Sequence, residues 1–447
     1  MKDLRIIHMG TLYALLAILL ACSPGKKEQP LIRELNRHIV ELPGRKALEY
    51  SDAFLHEVLD GDNYSVIGLG EAAHGAKTFF ELKHRLFKYL VEYHDYKVLA
   101  YEFSFRTSLK VNDYIVNGTG DLDSLFAGEL WIQDNYEVQN LVRWMRDYNM
   151  LQHARDKIYF VGIDNQLDAF YPVKTIDRIN VYYPELIRQN SQLAVEISSM
   201  KHINYENITR KEYESRRSLF ENLLARSRSY FQSEPELEQS FNSKLTLHLI
   251  ECLIDSNQWL FNIFTGKKNM REVDMAQNLL WVKENYNSKI AIWAHTSHVQ
   301  DNPNFYGDGE GSLGYHIKKS LNEEYLIIST AFTKGKFTAV MEGPDGEDTL
   351  PLICEISGNP PSESFNDVFC QAKYENFFLD VRKIRASSPL HSYLGTVRPM
   401  LGIGDFFAGS AELHYSTSDR KINILEATDL IFYYSQTEAL TLHERFK

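Results

Sequence analysis

The sequence predicts an α/β fold in which a mostly parallel central sheet is flanked by helices and interrupted by a large helical insertion. Three observations predict it. Short runs rich in β-branched and aromatic residues alternate with stretches of helical period. The runs are apolar almost throughout, as strands buried on both faces must be. One long mid-chain segment, about residues 173–287, departs from this alternation and reads as helix after helix. Strand alternating with helix builds a layered, parallel sheet.

Taken in order, the first 21 residues stand outside that fold. Lys2 and Arg5 precede "TLYALLAILLA", an apolar stretch too short to span a bilayer comfortably, and small residues follow, which is the layout of a secretory signal. The stretch ends in Leu19-Leu20-Ala21-Cys22, which resembles the lipobox of bacterial lipoproteins, with Cys22 as the acylated first residue of the mature chain. The expectation is an exported protein, lipid-anchored to a bacterial membrane on its periplasmic or cell-surface face. Residues 22–45 then form a tether and N-terminal segment, and residues 46–447 the folded domain. Removing residues 1–21 takes away Lys2, Arg5 and Asp3 and moves the net charge from −12 to −13.

Five strands are expected from "YSVIGLG" (64–70), "KVLAYEF" (97–103), "KIYFVGI" (157–163), "KIAIWAH" (289–295) and "YLIISTAF" (325–332). Between the first two, Phe79, Leu82, Leu86 and Leu90 recur at helical spacing and make one apolar face. "YEVQNLVRWMRDYNMLQHA" supplies the next helix. The insertion contains "RRSLFENLLARSRSYF", "KLTLHLIECLIDSNQWLFNIF" and "REVDMAQNLLWVKENY", all helical by period. Beyond Phe332, "KFTAVMEGPDGED" carries a Pro-Asp-Gly turn and "ATDLIFYYS" reads as a late strand.

Composition narrows the class. The apolar fraction of 44% with 24% charged residues is that of a globular domain. The 48 basic and 60 acidic residues are interspersed without long runs, which argues against a nucleic-acid partner. Cys252, Cys354 and Cys370 are too few for a disulfide framework, and no CxxC pairing suggests structural zinc.

Chemistry gathers at the strand ends. The first strand runs into Glu71 with His74 beyond it, the second ends at Glu102, the third at Asp164, and the fourth at His295 with His298 three residues later. Open α/β sheets keep their ligand crevice at the carboxyl ends of the strands. Capping roles taken one at a time account for a single Glu or His, but not for two histidine motifs and two glutamates at one end of a sheet. His84, His94 and His248 fall inside helical patterns and are expected to be structural. The nearest approach to a G-x-S-x-G elbow, "EGSLG" at 310–314, has Glu310 in the first glycine position, so the expected attacking group is water activated by a general base or by a metal. "HTSH" lacks the H-E-x-x-H pattern, yet the His and carboxylate set is competent to hold a divalent ion.

The segment "GLGEAAHGAKTFFELKHRLFKYLVE...YKVLAYEFSF" resembles the erythromycin esterase family, and the likeness continues through "VGIDNQ", "REVDMAQNLLWV", "IWAHTSHV", "GSLGYHIKKSL" and "ATDLIFYYSQTEA". It implies hydrolysis of an ester or lactone without a covalent intermediate, the family's known substrates being macrolide lactones and its known role antibiotic resistance. Carried over by motif, His74 matches the general base, and Glu71, Glu102, His295 and His298 match the other active-site groups. Lys83 stands where macrolide-hydrolysing members have an arginine, and Lys83, Asp164 and Arg271 are expected to bind substrate. Two alternatives accompany this reading: a metal-dependent hydrolase using the same cluster, and a surface lipoprotein that binds its ligand without turnover.

Overall fold

The computed structural model describes residues 29–166, 168–200, 208–305, 309–343, 346–416 and 421–446. The expected signal, Cys22 and the first residues of the expected tether, up to residue 28, lie outside the described residues, as do Pro344 and Asp345 of the expected turn.

The strands, in chain order, are β1 Ile39–Glu41, β2 Val66–Glu71, β3 Tyr96–Ser104, β4 Tyr159–Asp164, β5 Lys289–His295, β6 Tyr325–Ala339, β7 Leu352–Ile356, β8 Asn376–Asp380, β9 Arg398–Pro399, β10 Lys421–Ile422 and β11 Leu430–Thr437. Nine of them form one sheet in the order β1-β8-β11-β6-β2-β5-β3-β4, with β7 added antiparallel to β6. The six central strands, β11 through β4 in that order, are all parallel, while β8 is antiparallel to both of its neighbours. All five expected strands are present, and β11 is the expected late strand. The mostly parallel α/β sheet flanked by helices is therefore as the sequence predicts.

The order of the strands creates the crevice. From β2 the chain moves outward to β3 and β4, passes through the helical insertion, and returns as β5 into the slot between β2 and β3. It then places β6 on the other flank of β2, so the winding reverses around β2 and leaves a gap above the carboxyl ends. β2 is buried along its whole length. At Gly70 a side chain is sterically excluded: a Cβ would lie 2.8 Å from the Thr296 backbone and 2.7 Å from Val299.

The Lys77–His94 helix covers one face of the sheet with the fully buried Phe79, Leu82, Leu86 and Leu90, and ends at Asp95 in the left-handed conformation (φ 58°). In the insertion, the Arg210–Ser233 and Phe241–Phe264 helices pack on each other, the first opened by a Thr209/Glu212 capping box. Ile179, Leu186, Phe220, Leu223 and Ile250 give this layer a small core of its own.

Two features differ from expectation. Within the segment expected to be tether and N-terminal segment, Pro30–His38 is a helix and edge strand β1 pairs with β8, so this part of the chain joins the sheet rather than preceding the folded domain. A three-residue strand carries too few positions for any periodicity to register. After β11, Glu438–Leu442 runs past the carboxyl end of the sheet: Glu438 C=O accepts from Lys77 N–H, Leu440 N–H donates to Gly75 C=O, and Tyr136 N–H donates to Thr441 C=O. Arg445 then pairs with buried Asp134 at 3.1 Å. This strap ties the turn holding His74 to the loop before the Tyr136–Met150 helix.

Cys252 and Cys354 are buried and Cys370 exposed, and all three are free thiols. Among the described residues no helix is long and apolar enough to cross a membrane.

Candidate active site

The carboxyl ends of β2, β5, β3 and β4 open into a cleft of about 290 Å³, lined by Glu71, His74, Glu102, Asp164, Arg271, His295 and His298 among others. Parallel pairing sets Glu71 beside His295 directly. Glu102 comes from a place where β3 loses register with β4, between Tyr101 and Ser104, and this irregularity turns its carboxylate inward.

Two histidine units face each other across the cleft. In the first, His74 Nδ1 lies 2.9 Å from Glu71 Oε1. A carboxylate accepts, so Nδ1 carries the proton and the lone pair of a neutral ring is on Nε2. Burial depresses His74 below the ordinary histidine value, against the pull of Glu102 and Asp405, which keeps the ring in that neutral form. Behind Glu71, the Lys83 ammonium contacts its other oxygen, Oε2, and sits 4.3 Å above the Trp293 ring. Burial pushes Lys83 well below the usual lysine range, while the charge of Glu102 favours the ammonium form.

The second unit is built around Glu102. Its Oε1 receives Arg271 Nη2 at 2.8 Å and His298 Nε2 at 3.2 Å, and its Oε2 receives the His295 backbone N–H at 2.9 Å. His298 Nδ1 is 2.9 Å from Glu272, which is wholly buried and also accepts from Leu313 N–H at 2.9 Å. Burial works against the imidazolium, but the two flanking carboxylates overcome it and raise His298 to about 10. Burial likewise pushes Glu102 upward, and His298, His74 and Arg271 together hold it well below the carboxylate range. Asp164 orients Arg271 through two contacts at 2.7 and 3.1 Å, with its other oxygen on Gln166 N–H.

Between the units lies His295, its ring edge 4.9 Å from that of His74, centroid to centroid. The Ser297 backbone N–H donates to His295 Nδ1 at 3.2 Å, which places the ring proton of the neutral form on Nε2. Ser297 Oγ is 2.7 Å from the same Nδ1.

The structure thus brings together Glu71, His74, Glu102, Asp164, Arg271, His295 and His298. Lys83 is a correction: it is 1% exposed, lies behind Glu71 and does not line the cleft, so it acts on Glu71 rather than on substrate. Asp164 does line the cleft, and its two contacts fix Arg271. Arg85 faces Tyr50 and Asp52, away from the site. His84, His94 and His248 are structural, packed on Trp144, paired with Asp62 and stacked on Trp281 respectively. Glu272 is the residue sequence reasoning missed. It stands in the first turn of a helix, where an acidic residue is ordinarily read as complementing the dipole.

Glu71, His74 and Glu102 bring one possible metal-ligating atom each within 4.8 Å of one another. Their donor atoms are engaged otherwise: Glu71 by His74 and Lys83, and Glu102 by Arg271, His298 and a backbone N–H. A dication would have to displace three cationic groups, so the set does not fit a resident metal.

The erythromycin esterase family matches the chain over residues 91–437. The match begins after Glu71 and His74, whose place in the site comes from the geometry above. Erythromycin esterase type II of Escherichia coli is 24% identical over 300 residues, 62% of this chain and 70% of that one. A crystal structure of a Bacillus cereus protein superposes with a TM-score of 0.76 at 21% identity, covering 93% of this chain and 98% of the other. An erythromycin esterase mutant, EreC, in its open conformation gives 0.63 at 18% identity, covering 88% and 97%. With its fold shared and more than three quarters of its length matched, the chain belongs to the erythromycin esterase family.

Proposed function

We propose that this protein hydrolyses a carboxylic ester or lactone by direct attack of water, with His74 as general base. The observation that carries it is the His74–Glu71 pair. A neutral imidazole has its Nδ1 proton fixed on a buried carboxylate and its Nε2 lone pair directed at the cleft. Water gives its proton to Nε2 as its oxygen bonds to the carbonyl carbon, and the carbonyl electron pair moves onto oxygen. His295 Nε2–H donates to that oxyanion, in the field of Arg271 and charged His298. Collapse breaks the bond to the alkoxide, which takes the proton held on His74, leaving the acid and the alcohol and restoring the enzyme. Lys83 holds Glu71 Oε2 in place, so the lysine-for-arginine difference bears on Glu71 rather than on substrate choice.

The relative's name makes macrolide lactones the first substrates to try. The decisive experiment incubates the purified domain with a macrolide and a panel of simple esters, with and without chelator, and follows the addition of one water by mass spectrometry. Hydrolysis that survives chelation is expected; hydrolysis lost on chelation and restored by metal would overturn the metal-free route. A second route has one observation in its favour, the 2.7 Å contact between Ser297 Oγ and His295 Nδ1, which would make Ser297 a nucleophile. It requires an acyl-enzyme adduct, and Ser297→Ala would abolish turnover.

Export and anchoring belong to the same proposal. Cys22 at the end of the signal-like segment supports a lipid anchor, and a Cys22→Ala chain is expected to leave the membrane fraction for the soluble one.

A further inference from the structure

One wall of the cleft is made by Glu129, Leu130, Ile132 and Gln133, in the loop of residues 126–135 ahead of the Tyr136–Met150 helix. Asp134 follows directly and is wholly buried. Burial pushes its carboxyl up, against the pull of Arg445, His443 and Gln139. A carboxylate is tolerated inside a protein where a cation meets it and is strongly destabilising where none does. Among the described residues the cation paired with Asp134 is Arg445, whose Nε lies 3.1 Å from Oδ2 and whose Nη2 donates to Asp123 C=O at 2.6 Å.

Arg445 arrives from the end of the strap, which is laced to the same wall on its way. Asn135 forms an antiparallel β-bridge with Leu442, Thr441 N–H donates to Glu137 Oε2 at 3.0 Å, and the His443 ring stacks on Tyr136. The earlier half of the strap is fastened to the turn that carries His74. One chain segment therefore holds both the base and the wall that faces it.

The two partners of the ion pair differ in access. Asp134 is closed off from water, whereas the Arg445 side chain is 28% exposed, so the pair can be undone from the arginine side alone. Undoing it strands an unpaired carboxylate inside the wall, and that charge regains water only if the wall moves. The cleft as it stands holds about 290 Å³, at the small end of the range for ligand sites, so a bulkier guest needs the same movement.

We propose that Arg445 and Asp134 form a latch. Paired, they hold the 126–135 wall against the cleft; released, they let the wall swing outward and open the way to His74. The latch belongs to the fold and does not depend on which bond the cleft acts on.

The test follows hydrogen exchange by mass spectrometry in the purified protein, at the amides of residues 126–137 and 438–446, with β2 to β5 as internal reference. Access is read separately, as the rate at which diethyl pyrocarbonate acylates the neutral ring of His74. In Arg445→Met the wall and strap amides should exchange about tenfold faster and His74 should be acylated about tenfold faster, with the sheet amides unchanged. Asp134→Asn combined with Arg445→Met has no buried charge left to hydrate, and both rates should return to within about threefold of the wild type. Wall exchange unmoved by Arg445→Met, faster exchange spread equally over the sheet, acylation of His74 at the wild-type rate, or a double variant no slower than the single one each overturns the latch. Should Arg445→Met fail to fold, Arg445→Lys decides. It keeps the charge but loses the planar fork that reaches Asp123 and Asp134 together, so wall exchange about threefold faster over an unchanged sheet upholds the proposal, and wild-type exchange overturns it.

Discussion

His74 and His298 occupy one cleft and have opposite charge. Each has its Nδ1 on a buried glutamate, Glu71 for His74 and Glu272 for His298. What separates them is the second partner. His298 Nε2 meets Glu102, so two carboxylates outweigh the cost of burying a cation. His74 touches one carboxylate, itself shared with Lys83, and burial, joined by the charges of His298 and Arg271, prevails over the pull of Glu102 and Asp405. A base and a fixed positive charge are thus made from the same side chain by what each ring nitrogen touches.

The largest break in this comparison comes from removing the base. His74→Gln should lower kcat by about 10²–10⁴-fold while leaving thermal melting nearly unchanged; a variant that turns over at the wild-type rate would place the base elsewhere.

Next is Glu272→Gln, which leaves His298 one carboxylate. Breaking a buried pair costs about 3–5 kcal/mol, seen as a fall in unfolding free energy in denaturant titrations. The pH dependence has a definite sign. A histidine raised to about 10 stabilises the fold fully below its unfolded value near 6.5, and that contribution is lost as pH climbs from there to about 10. In Glu272→Gln the folded value falls, so the loss should be smaller and complete at a lower pH. His74 behaves the opposite way. Because its folded value is depressed, its contribution is present above the unfolded value and lost as acid protonates the ring, and the acid limb of kcat/KM should have its midpoint below about 6.5.

Lys83→Met breaks a buried pair of the same kind. Glu71 Oε2 loses its partner, at about 3–5 kcal/mol of stability, and the His74 profile shifts because its carboxylate is less firmly held. The smallest effect sharpens the mechanism: Ser297→Ala should change kcat by less than about threefold, since its hydroxyl only helps to orient His295. Loss of turnover there would move the chemistry from water to an acyl-enzyme.

The strand-end pattern made most of this site legible in the sequence, because an apolar run that stops at Glu or His announces both a strand and what it delivers. Glu71, Glu102, Asp164, His295 and His298 all come from such ends. Glu272 and Asp405 do not; one opens a helix and the other sits in a loop stitched beside β2, and only tertiary pairing shows where they arrive. The position of β5 between β2 and β3 was equally silent, since local periodicity carries no information about strand order. Lys83 was read correctly as lying on the helix after the His motif, but whether its ammonium met substrate or Glu71 depended on the depth of that helix against the sheet.

The strap formed by Glu438–Leu442 has a consequence for biosynthesis. Glu438 N–H donates to Thr78 Oγ1 across 360 residues of sequence, and its neighbours close the turn around His74 onto the loop ahead of Tyr136. A nascent chain can lay down β2 through β5 well before the segment that fastens this wall of the cleft has been made. Contacts of such long range form late and slowly. The wall of the cleft would therefore close after the sheet beneath it has formed.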